Sequence, residues 1–190
     1  MDLHAFLDPV KLQDTPRLFT AIAEWLAVFV YFNIYKRRRH DKVYVFQCIG
    51  TLAIQIIYQF IAGLLPIEFW IPCMIGAVAL MYASLYFVLD IKPRDCGVIT
   101  THAFVLAEFA ASLYIQLYVW CVYFSNVDDF TESAVVMVIV YTITFIAYYN
   151  FEKGNIPPNK NLNVKTNELI SVIVTGIGAF IMSNLSFITQ

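Results

Sequence analysis

Six stretches of the chain, at 18–35, 43–65, 67–89, 97–124, 132–149 and 168–188, stay apolar over the length of a bilayer crossing. Nothing else in the sequence restricts its fold so strongly. A hydrocarbon core of about 30 Å takes roughly 20 mostly apolar residues in helical form. Inside lipid the backbone finds no water, so each crossing must satisfy its own hydrogen bonds. Strand crossings are shorter and alternate polar with apolar residues, and these runs do neither. Composition agrees. Of 190 residues, 60% are hydrophobic and only 14% charged, with a mean hydropathy of +0.68; soluble domains carry about 25% charged residues. The predicted fold is all-α, a polytopic membrane protein forming one bundle of six transmembrane helices. An extracellular or interfacial segment at 1–17 precedes it.

The distribution of charge sets an orientation. Ten of the 12 basic residues fall in the odd-numbered connections. Lys36, Arg37, Arg38, Arg39 and Lys42 sit in the first, Lys92 and Arg94 in the third, and Lys153, Lys160 and Lys165 in the fifth. The positive-inside rule makes connections 36–42, 90–96 and 150–167 cytoplasmic and the amino terminus external. Six crossings then return the carboxyl end to the outside. The run KRRRHDK reads as a topology signal in contact with anionic lipid, not as a nucleic-acid patch. Residues 1–17 lack a basic leader and a small-residue cleavage site; Leu3, Phe6, Leu7 and Val10 suit an interfacial segment.

Polar residues inside the runs are the candidates for function, because a buried polar group needs a partner and an intramembrane acid is costly. Glu24 lies two turns into the first run. Gln47, Thr51, Gln55 and Gln59 recur at i+4 in the second, placing them on one helical face turned toward the bundle. The fourth run, 28 residues long, carries Thr101, Glu108, Ser112 and Gln116 on one stripe, with Ala103, Ala107, Ala110 and Ala111 as small packing surface. His102 lies off the Glu108 face, since six residues rotate by about 600°. The partners expected for Glu108 are therefore on other helices, with Glu24 and the glutamine stripe in prospect. Glu24, Gln47, Gln55, Gln59, Glu108, Ser112 and Gln116 are the ligand or coupling candidates. Thr166 is the expected N-cap of the sixth helix.

Catalytic signatures are absent: the sequence has no Walker loop, GxSxG, HExxH or GxGxxG. Cys48, Cys73, Cys96 and Cys121 are scattered without metal-ligand spacing, so neither a metal nor another cofactor is expected. Cys96 and His102 fall on different faces of one helix, which argues against a cysteine-peptidase couple. No enzymatic activity is expected of these 190 residues.

The stretch at 103–118, AFVLAEFAASLYIQLY, resembles a helix in the membrane sensor regions of clostridial-type sensor histidine kinases. These carry a GHKL-type ATPase domain and share the layout of Agr-type quorum-sensing receptors. The final SNLSFI resembles the start of the next block in those proteins. The likeness is strongest over the fourth to sixth runs. Glu108, Phe109, Ala110, Ala111, Ser112 and Gln116 are the positions that match the helix motif. The resemblance implies reception of an extracellular signal, often a peptide, and its transmission to a dimeric cytoplasmic kinase. No phosphoacceptor helix or ATP-binding box occurs here, so a truncated or stand-alone sensor region is expected, in the lipid bilayer, as a homodimer or with a partner subunit. Transport is the competing class. Six helices in this length also resemble the substrate-binding subunits of energy-coupling-factor vitamin transporters, whose small-molecule ligands approach from the outer face; Glu24 and the glutamine stripe fit that layout.

Overall fold

The computed structural model describes residues 17–38, 41–125, 130–155 and 164–188. Outside them lie the expected interfacial segment before Arg17, His40, the fourth connection at 126–129 and the proline-bearing 156–163. The side chains of Ser183 and Asn184 also lie outside. The described chain is all-helical: α1 (Arg17–Ile34), α2 (Asp41–Leu64), a short 3-10 turn (Ile67–Phe69), α3 (Trp70–Val88), α4 (Pro93–Ser125), α5 (Phe130–Asn155) and α6 (Thr166–Ile188). The first five are long and apolar enough to cross a membrane; α6 is apolar over Thr166–Ile181.

Several ends differ from the expected boundaries. Helix α4 begins at Pro93, four residues before the apolar run. Proline suits the first helical position because its missing N–H has no helical partner there. Asp95 follows in the first turn, where the helix dipole favours an acid. Its carboxylate accepts the Val164 backbone N–H at 3.1 Å, tying the start of α4 to that of α6. At 33 residues, α4 is about 50 Å long and outruns a bilayer. Helix α5 continues to Asn155, beyond the expected end at 149. Thr166 is not the N-cap of α6 but its first residue. Lys165 is the cap: its carbonyl accepts from the Leu169 N–H at 3.1 Å, and its own N–H donates to Glu168 at 3.0 Å. That is the returning half of a capping box.

Helix α1 is the axis of the bundle. It packs against α2, α3, α4 and α5, and half of it is buried against 22% of each other spanning window. Its small residues allow this. Ala21, Ala23 and Ala27 are fully buried, as are Ala103, Ala107 and Ala110 on α4. Small side chains let backbones approach where lipid supplies no hydrophobic drive between helices. The α2–α3 hairpin is equally close: a Cβ at Gly76 would lie 1.9 Å from the Tyr58 hydroxyl, which donates to the Cys73 carbonyl at 2.8 Å.

Residues 36–38 of the basic first connection are tied to the end of α3. The Arg38 N–H donates to the Val88 carbonyl at 3.0 Å and the Asp90 N–H to the Lys36 carbonyl at 2.9 Å. Arg38 Nε adds a bond to the Leu89 carbonyl at 2.6 Å. Arg37 lies over the Tyr44 ring and Arg38 over Tyr86. The strongly basic first connection is thus joined through backbone to the third, whose two acids and two bases cancel, and Arg37 and Arg38 rest on aromatic faces.

Candidate polar site between helices one and two

Glu24 sits seven residues into α1, about 10 Å from its start, and is buried to 1% exposure. Helix α2 runs beside it and offers one residue per turn. Gln59 Nε2 donates to both carboxylate oxygens at 2.8 Å. Gln55 Nε2, one turn away, donates to Oε2. The next turn serves Trp25, whose indole N–H reaches the Thr51 hydroxyl and the Cys48 carbonyl, each at 3.2 Å. Gln55 and Gln59 are themselves buried. The result is a polar seam along successive turns of α2 inside an apolar bundle, with every buried side-chain oxygen and nitrogen among the described residues bonded. Such bonds stabilise membrane bundles by roughly 0.6–2 kcal/mol each.

Gln47 does not join the seam and is half-exposed. Four residues turn a helix by 400°, so an i+4 series drifts by about 40° per step and Gln47 lies some 120° from Gln59. The same drift spreads the α4 stripe. Glu108 and Ser112 are half-buried and Gln116 is exposed. Glu108 makes no hydrogen bond among the described residues, and the amides it was expected to share are engaged by Glu24. It remains within electrostatic reach of Glu24 and of Tyr141.

Tyrosine supplies much of the remaining polar bonding, which the sequence reading did not single out. Tyr141 donates to the Phe19 carbonyl on α1 at 3.1 Å. Tyr114 and Ser133 hydroxyls meet at 2.7 Å, as do those of Tyr31 and Tyr148. A buried tyrosine normally finds a partner for its hydroxyl, and twelve tyrosines in so apolar a chain were the available signal. Cys96 is buried and donates to the Tyr82 carbonyl at 3.5 Å. His102 is exposed in a groove with Glu152, between α4, α5 and α6. The two residues thus face different neighbours. Among the described residues no three His, Cys, Asp or Glu side chains group as metal ligands.

No family model, curated protein or solved structure matches the chain. The fold and its apolar helices make it a multi-pass helical membrane protein.

Proposed function

We propose that this chain is the membrane-embedded sensing region of a GHKL-type sensor histidine kinase. It receives an extracellular signal, a peptide by the layout it resembles, and passes it to a cytoplasmic kinase outside these 190 residues. The observation that carries this reading is the buried Glu24 carboxylate held by two amides of the neighbouring helix. Glu108, within the AEFAASL stretch that resembles the sensor helix, faces it electrostatically.

An acid in that position is a two-state element. While Gln55 and Gln59 bond it, α1 and α2 are locked in register. A ligand that takes over the carboxylate releases both amides and lets α1 shift. The far end of α1 leads into residues 36–38, whose backbone is bonded to 88–90 ahead of α4. Movement of α1 is thereby carried to the cytoplasmic face.

The test joins the region, through one further transmembrane helix, to a cytoplasmic histidine-kinase domain and reads autophosphorylation. Glu24→Gln keeps a hydrogen-bond acceptor of the same length and removes the charge. It is expected to change basal autophosphorylation at least fivefold with helicity unchanged. Unchanged phosphorylation, with Glu24-dependent binding of a labelled small molecule from the outer face, would favour the transport-subunit reading instead.

A further inference from the structure

Two grooves flank α6, which packs chiefly along α4. One, of about 810 Å³, separates it from α5 and carries His102 and Glu152. The other, of about 740 Å³, separates it from α3 and reaches Arg94. Each wall of the second groove spans twelve residues, or eleven helical rises: Tyr82 back to Ile71 on α3, Pro93 to Phe104 on α4, and Leu169 to Phe180 on α6. At 1.5 Å per residue each wall is about 16 Å long. That matches one leaflet, half of a core of about 30 Å.

The groove is apolar along its walls and charged at one end. The hydroxyls of Thr100 and Thr101 are turned onto their own helix, and Tyr82 donates to the Pro93 carbonyl. The far end is closed by Phe180, stacked on Trp70 at 5.3 Å and packed on Phe104 at 5.7 Å. The open end lies at the start of α4. There Arg94 is exposed and makes no hydrogen bond or ion pair among the described residues. It also lines a small adjoining pocket with Lys92, Asp95 and Val164. The acids close by are engaged, Asp95 by the Val164 N–H and Glu168 by that of Lys165.

We infer that this groove binds an acyl chain of an anionic glycerophospholipid of the cytoplasmic leaflet, with the phosphodiester held by Arg94. A guanidinium matches the geometry of phosphate oxygens, and a one-leaflet groove closed by aromatics fits a chain entering from one side only. The neighbouring groove supplies the contrast. It has similar size, but its lining holds Glu152 and neither lysine nor arginine. The site is independent of the signal-sensing role.

Native mass spectrometry of the purified chain with equimolar phosphatidylglycerol and phosphatidylcholine of identical acyl chains tests the assignment. The wild type is expected to retain phosphatidylglycerol at least fivefold over phosphatidylcholine. Arg94→Gln should remove about fivefold of that preference, the worth of one cation at a membrane surface, with helicity unchanged. Ile173→Trp, which fills the groove, should lower retention of both lipids. Equal retention of the two lipids by the wild type would overturn the proposal. So would a preference that survives Arg94→Gln, or cross-links between copies through Ile173→Cys showing a second chain in the groove.

Discussion

Glu24→Ala is expected to destabilise the bundle by about 2–4 kcal/mol, because it strands two buried amides in an apolar interior. Gln55 and Gln59 lose their common acceptor, and neither has water to turn to. The asymmetry of buried hydrogen bonds gives the control. Removing one partner exposes the full desolvation cost of the other, whereas removing all partners together can be nearly neutral. The triple variant Glu24→Leu, Gln55→Leu, Gln59→Leu should therefore recover most of the loss when unfolding is followed in mixed micelles. On the proposed sensing role it should nonetheless abolish the effect of signal on a fused kinase domain's autophosphorylation. A triple variant less stable than Glu24→Ala alone would show that the seam is not what the alanine change disturbs.

The second large effect lies where α6 meets α4. A Cβ at Gly176 would come within 2.5 Å of the Thr101 Cγ2 methyl, with its next neighbours at 3.8 Å and beyond. Thr101 is β-branched, and its hydroxyl bonds the Gly97 carbonyl at 3.0 Å, so the methyl has little freedom to swing aside. Gly176→Ala should cost about 1–3 kcal/mol through this overpacking and loosen α6, whose main support is α4. Thr101→Ser removes the offending methyl and keeps the hydroxyl. Combined with Gly176→Ala it should restore thermal stability in detergent, giving a clear coupling energy in a double-mutant cycle. Additive losses from the two changes would place the cause elsewhere.

What the sequence made legible follows from what a single helix encodes. The apolar runs foretold helices, because length against bilayer thickness is a one-dimensional property. The glutamine series foretold a polar face for the same reason, and Gln55 and Gln59 do lie on it. Gln47 fell off because a four-residue step is not a whole turn. Which helix would face that polar edge was beyond the sequence. Glu24 and Glu108 both needed partners, and only the placement of α1 beside α2 gave the amides to Glu24. The Tyr31–Tyr148 hydroxyl pair and the Tyr141 bond to the Phe19 carbonyl join positions more than a hundred residues apart and leave no spacing to read. The basic run at 36–39 was legible as charge alone. Its backbone pairing depends on where α1 and α3 end side by side, which no local pattern records.

The proposed function requires the Glu24 seam to lie in the outward half of the bundle, within reach of an extracellular signal. Substituted-cysteine labelling tests this most directly, in a background with Cys48, Cys73, Cys96 and Cys121 replaced by serine or alanine. Single cysteines at Glu68, Arg94 and Lys153, all exposed, report the two faces. With a membrane-impermeant maleimide on intact cells, Glu68→Cys should label at once, and Arg94→Cys and Lys153→Cys only after permeabilisation. The opposite pattern would put the seam in the cytoplasmic half and contradict a sensing role for it.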